Sequence, residues 1–193
     1  MKRIIVGISG ASGVVYGARM VDSLSGRVES HLIISPAARE IISLEMPGKA
    51  AEIEKMASFV HGIDELGAPI ASGSFRTDGM VIIPCSVKSL SAVANSYDEN
   101  LMIRAADVTL KERRPLVLVV RECPLHTGHL ELMLRASRMG AIVFPPVPAF
   151  YHGPETLDDV IDHTVGKILD LLDVEHELFR RWEGAERQSK GQV

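Results

Sequence analysis

Residues 3–24 read RIIVGISGASGVVYGARMVDSL, and their pattern changes at Ser9. Up to Ile8 the run is apolar and β-branched without polar alternation, as in a strand buried on both faces. Small residues from Ser9 to Gly13 then make a turn. Beyond it Val14, Ala18, Val21 and Leu24 recur at helical spacing, and Gly26 stops the pattern. Strand, glycine-rich turn and helix in that order begin a parallel α/β sheet.

The same alternation continues outward. Strand-like runs recur at His31–Ile34, Met80–Ile83, Leu116–Val120 and Ala141–Phe144. Helical patterns lie near 37–46, 48–59, 86–95, 100–113, 127–138 and 157–172. The expected fold is a doubly wound, mainly parallel sheet covered by helices on both faces, a three-layer sandwich. Ligands of such sheets bind beyond the carboxyl ends of the strands. The site is therefore expected in Ser9–Gly13, Ser35-Pro36, Pro84–Ser89, Arg121–Pro124 and Pro145–His152.

The chain has 193 residues, 46% hydrophobic and 24% charged, with a net charge of −4. This suits one domain, expected over 1–183, with a polar, flexible tail over 184–193. The apolar fraction excludes a disordered chain, and the acidic balance argues against a nucleic-acid partner. No apolar run approaches the roughly 20 residues of a membrane span, and Met1-Lys2-Arg3 leads straight into the first strand without a signal peptide. Cys85 and Cys123 lie outside any CxxC pattern, as in a reduced, cytoplasmic protein. Aromatics are 5% of the chain, so a planar ligand must be held mainly by backbone and polar groups.

The first turn is spaced GxxGxxG, not the dinucleotide GxGxxG, and the second strand ends in Ile34-Ser35 rather than in an acid. A mononucleotide phosphate site at the helix start is one reading; a tight turn without ligand is the other. Pro84–Ser89 offers hydroxyls, Lys88 and fresh N–H groups to an anion or a flavin edge, although a plain Ser86 cap also explains it. Cys85 lacks a partner histidine motif and reads as a buried thiol. In the helix near 100–113, Asn100, Arg104, Asp107 and Lys111 share one stripe on an otherwise apolar cylinder. Two cations against one acid favour an anionic ligand over an internal pair. Arg121-Glu122 after the most apolar strand suits phosphate binding plus proton transfer, against a surface ion pair. Prolines 145, 146 and 148 stiffen the approach to Tyr151, and Thr156 with Asp159 forms a capping-box pattern. Lys167 flanks the buried face of the last helix, where a lysine usually snorkels. His126 and His129 are close but lack further ligands, so no metal is expected, and Ser12 is not in a GxSxG elbow.

The segments GISGASG (7–13), SGSF (72–75), IPCSVKSL (83–90), RAADVTLKERRPLVLVVRECPLH (104–126) and PPVPAFYH (145–152) closely resemble the UbiX/Pad family of flavin prenyltransferases. The resemblance runs from residue 1 to about Trp182. It implies a flavodoxin-like Rossmann fold and a homododecamer with active sites between subunits. The implied reaction is metal-independent. It joins the dimethylallyl group of dimethylallyl phosphate to N5 and C6 of reduced FMN, making prenylated FMN for a partner UbiD-type decarboxylase of quinone synthesis or phenolic-acid breakdown.

By the same resemblance, FMN contacts fall on Gly10, Ala11, Ser12, Ser35, Ser86, Val87, Lys88, Ser89 and Arg121. Prenyl-phosphate contacts fall on Arg104, Lys111, Arg121, Glu122, Tyr151 and Lys167, and Glu45 matches a glutamate near the flavin N5. The catalytic set is Ser12, Glu45, Lys111, Arg121 and Glu122. Departures from the family pattern are Pro36, Ser89, Cys123 and Lys167; the last keeps the charge of a common arginine without its fork. The rival readings are an FMN-binding subunit of an aromatic-acid decarboxylase and a flavodoxin-like FMN carrier. The cations for two phosphates count against the carrier.

Overall fold

The computed structural model describes residues 1–182 and Gly184, so most of the expected tail lies outside the described residues. Strands β1 (Arg3–Ile8), β2 (Glu29–Ile34), β3 (Phe59–His61), β4 (Gly79–Cys85), β5 (Leu116–Val120) and β6 (Ile142–Val143) form one sheet in the order β3-β2-β1-β4-β5-β6. Every pairing is parallel, with Ile5 beside both His31 and Met80 and Val81 beside Val117. Without the short β3 edge this is the flavodoxin order; with it, the order is that of a dinucleotide-type sheet. The winding reverses between β1 and β4, which makes that boundary the switch point.

The continuous apolar strands alternate between two cores. Ile4, Val6, Ile8, Val81, Ile83, Val117 and Val119 face α1 (Val14–Leu24) and α7 (Leu157–Leu171). Ile5, Met80, Ile82, Leu116, Leu118 and Val120 face α4 (Val87–Ala94), α5 (Leu101–Lys111) and α6 (Thr127–Arg138). The remaining helices, α2 (Pro36–Glu45) and α3 (Ala50–Met56), follow β2. Helix starts follow their side chains. Ser35, Ser86, Asn100 and His126 cap α2, α4, α5 and α6, and Thr156 with Asp159 closes the expected capping box on α7.

The sequence pattern carried helix through residue 59, but α3 stops at Met56 and β3 begins at Phe59. A reciprocal serine pair explains the change: Ser58 N donates to Ser30 Oγ at 3.0 Å, and Ser30 N donates to Ser58 Oγ at 3.1 Å. These bonds start a strand beside β2 where local propensity gives no signal.

Candidate functional site

The turn after β1 is tied to the turn after β4 by one buried hydroxyl. Ser9 Oγ donates to Pro84 O at 2.8 Å and accepts from Ser86 N at 2.8 Å, while Ser9 N also reaches Pro84 O at 3.2 Å. The two loops therefore meet across the switch point. Gly10 lies so close to the start of α2 that a Cβ there would sit 2.5 Å from Ala37 Cβ. Among the described residues, the N–H groups of Gly10 and Ser12 have no protein acceptor.

The N-terminus of α1 is filled by the chain itself. Gly13, left-handed at φ 94°, donates to Glu45 at 2.9 Å, and Val14 N donates to Glu45 Oε2 at 3.2 Å. This corrects the reading of the glycine turn as a phosphate cradle at a helix start. The carboxylate already uses that dipole, and a phosphate there would face like charge. The open helix starts are those of α2 and α4. Ser35 Oγ accepts from Ala38 N at 3.1 Å. Ser86 Oγ accepts from Ser89 N and donates to Ser89 Oγ, both at 3.2 Å, which leaves the Ser89 hydroxyl proton free to point outward. Lys88 sends its ammonium to Glu99 at 3.2 Å, so only its backbone faces this start.

Beside that loop, Arg121 N donates to Cys85 O at 3.1 Å, placing the end of β5 against the end of β4. Arg121 Nε is buried and has no acceptor among the described residues. An unmet buried donor costs about 1–3 kcal/mol, and more when charged, so the geometry holds a place for an acceptor. Glu122 is exposed and accepts from Cys123 N at 3.0 Å. Burial pushes the Cys85 thiol up to about 12, which leaves it inert, as the sequence suggested.

The other expected substrate residues make their bonds elsewhere. Arg104 binds Ala71 O at 3.2 Å, Asp98 at 3.0 Å and Asp107 at 3.5 Å, and Lys111 pairs with Glu112 at 2.5 Å. The expected cation surplus on α5 is thereby removed: Asp98 and Glu112, off the stripe, complete the pairs, and Asn100 is spent as the cap. The chain after Lys111 leads into β5 from its amino end, so Lys111 sits at the edge opposite the Ser86 loop. There Arg114 binds Gly73 O at 2.8 Å and Phe75 O at 3.0 Å, in the loop before β4. Tyr151 is hydrogen-bonded to His163 of α7 at 3.1 Å, and Lys167 is exposed one turn further along that helix. Among the described residues, no hydrogen bond or salt bridge joins Arg104, Lys111, Tyr151 or Lys167 to Arg121, Glu122 or the Ser86–Ser89 loop.

The model of the flavoprotein family matches residues 1–180. The flavin prenyltransferase UbiX of Salmonella typhimurium is 54% identical over 189 residues, spanning 96% of this chain and all of the relative. The chain belongs to the UbiX flavin prenyltransferase family. Within it, the crystal structure of AnUbiX (PadA1) in complex with FMN and dimethylallyl pyrophosphate superposes with a TM-score of 0.92 at 45% identity, covering 95% of this chain and 98% of that one. A dodecameric FMN-dependent UbiX-like decarboxylase from Escherichia coli O157:H7 superposes at 0.91 with 48% identity, covering 94% of this chain and all of that one.

Two contacts around these residues escaped the sequence. Ser9 was visible only as part of a turn, because its partners Pro84 and Ser86 lie some 75 positions away. His163 belongs to no motif, and the sequence pattern did not single it out. Among the described residues, no group of three or more His, Cys, Asp or Glu is placed to hold a metal ion, and no helix is long and apolar enough to cross a membrane. The His126 and His129 rings lie with centroids 3.6 Å apart and planes tilted by 33°, and His126 Nδ1 accepts from Gly128 N.

Proposed function

We propose that this chain transfers the dimethylallyl group of dimethylallyl phosphate to N5 and C6 of reduced FMN, and that the prenylated FMN serves a UbiD-type decarboxylase. The single observation that carries the reading, beside family membership, is the buried and unpartnered Arg121 Nε at the switch-point edge. The residues around it suit FMN. The α2 and α4 starts, with Ser35, Ser86 and Ser89, offer hydroxyl and N–H donors to its phosphate. Gly10, Ala11 and Ser12 offer backbone N–H groups and close approach to the flavin ring. Reduced FMN supplies the nucleophilic N5 and C6 positions.

Arg121, with Arg104, Lys111, Tyr151 and Lys167, would stabilise the leaving phosphate as its allylic C–O bond breaks. The released phosphate, with Glu122 or Ser12, would take up the proton that ring closure sets free. Glu45 holds the α1 start and the glycine turn rigid beside the ring.

The distribution of these residues supports a shared site. Arg121 and Glu122 lie at the carboxyl edge and Lys111 at the opposite one, while Tyr151 and Lys167 make no bond to Arg121 or Glu122 among the described residues. Neighbouring copies can bring the three together in a homododecamer, the assembly described for the E. coli relative. The free thiols of Cys85 and Cys123 support a reducing, cytoplasmic setting.

Subunit mixing tests the reading. Arg121→Gln should lose FMN and Lys111→Ala should lose prenyl transfer, while mixed oligomers should regain turnover at interfaces that pair one intact residue from each parent. Turnover no greater than that of the two parents measured separately would contradict a shared prenyl-transfer site.

A further inference from the structure

Tyr151 is exposed at the end of a proline-stiffened segment, but its hydroxyl is not free to rotate at will. It lies 3.1 Å from His163 Nε2. The His163 ring is itself held on several sides. His152 stacks on it with centroids 4.2 Å apart and planes within 8°, and Phe179 packs against it at 4.7 Å. Tyr151 also meets His163 edge-on at 5.7 Å, and Trp182 approaches Tyr151 at 5.7 Å. A ring so enclosed keeps one nitrogen aimed at the phenol.

Which way the proton lies between them decides what Tyr151 can do. With the proton on His163 Nδ1, Nε2 is an acceptor, and the tyrosine spends its O–H on the histidine. With the proton on Nε2, the histidine donates to the phenol oxygen, and the tyrosine O–H points to whatever lies beyond. An anion beyond the phenol selects the second arrangement, because each bond in the relay N–H to O–H to anion polarises the next. Burial, with His152 and Lys167 nearby, pushes the His163 pKa below its ordinary value. The ring is therefore neutral near pH 7 and has one proton to place. Lys167, one turn further along α7, adds a positive charge on the same side.

We infer that His163 is a positioning residue for prenyl transfer: its Nε2–H holds the Tyr151 hydroxyl so that its proton is directed at the phosphate of the prenyl donor. This deepens the proposed function and rests on it, through the place of Tyr151 on that phosphate. No hydrogen bond joins His163 to the Ser9–Gly13 turn, Ser35, the Ser86–Ser89 loop or Arg121 among the described residues, so FMN affinity is expected to be independent of His163.

Two substitutions separate a hydrogen-bonding role from a packing role. Gln at 163 carries an amide N–H near the position of Nε2, whereas the shorter Asn amide ends near the position of Nδ1. Both lose the stack on His152 alike. The assay is steady-state prenylation of reduced FMN by the full oligomer, with dimethylallyl phosphate varied and FMN affinity measured in parallel. His163→Asn is expected to lower kcat/KM for dimethylallyl phosphate about tenfold with FMN affinity unchanged, and His163→Gln to recover to within about threefold of wild type. In a Tyr151→Phe background, His163→Asn should have no further effect. Equal losses in the Asn and Gln variants, or a His163→Asn loss that persists undiminished beside Tyr151→Phe, would overturn the inference. Tyr151→Phe with unchanged kcat/KM would overturn it too, together with the place of Tyr151 on the phosphate. Failure of prenyl transfer itself is read separately, from the wild-type protein in the same assay.

Discussion

Ser9→Ala removes one oxygen and should disturb the whole carboxyl edge. Ser9 is buried, and its hydroxyl makes two bonds of 2.8 Å across the switch point. Loss of the bond to Pro84 O costs about 1 kcal/mol, since that carbonyl keeps Ser9 N at 3.2 Å. Loss of the bond from Ser86 N is worse, because among the described residues no other acceptor serves that N–H; an orphaned donor costs about 1–3 kcal/mol. The sum is about 2–4 kcal/mol. For a chain of this size each kcal/mol moves the melting midpoint by roughly 2–4 °C, so a fall of roughly 5–15 °C is expected. Ser86 caps α4 and opens the Ser86–Ser89 loop, so FMN affinity should also fall, by about tenfold. Thermal melts of wild type and variant at one protein concentration, with and without FMN, and a flavin titration measure both effects. A midpoint within about 2 °C of wild type, with undiminished FMN affinity, would refute the tether.

Three further outcomes follow from other parts of the molecule. Arg121→Leu removes a buried donor that has no acceptor, so the FMN-free protein should melt no lower than wild type while flavin binding is lost; a lower midpoint together with retained flavin would show that the guanidinium serves the fold instead. In a thiol titration of the native protein near pH 8, the exposed Cys123 should react quickly and Cys85, pushed up to about 12 by burial, only after unfolding; two fast thiols per chain would contradict this. Burial lowers the pKa of both His31 and His61, which are hydrogen-bonded at 3.0 Å between β2 and β3. The unfolded chain therefore takes up protons first: stability is full above the ordinary value of 6.5 and falls as pH drops through it toward the depressed folded values. Urea midpoints at successive pH values should decline below about 6.5. His31→Gln should flatten that slope, and an unaltered slope would assign it to other groups.

The fold was legible where local pattern and burial agree. β1, β2, β4 and β5 are apolar without alternation because both faces are covered, and that run needs no tertiary knowledge to recognise. β3 was hidden because Ser30 and Ser58 build it through side-chain bonds between distant positions. The strand-end rule located Ser35, the Ser86 loop and Arg121, since topology alone puts those residues on one edge. The charge balance on α5 misled, because Asp98 and Glu112 lie off the helical stripe that periodicity can see. Glu45 was matched through family resemblance, but its seat on the α1 N-terminus depends on the packing of α2 against the glycine turn. The contacts of Ser9 and His163 join separated segments, which periodicity does not record.

The central claim is prenyl transfer to flavin, and the mass of the flavin tests it most directly. The protein is mixed anaerobically with reduced FMN and dimethylallyl phosphate, and the bound flavin is released and weighed. A flavin heavier by one dimethylallyl unit, formed without added metal, is the predicted result. An unchanged flavin after prolonged incubation with both substrates bound would contradict the account.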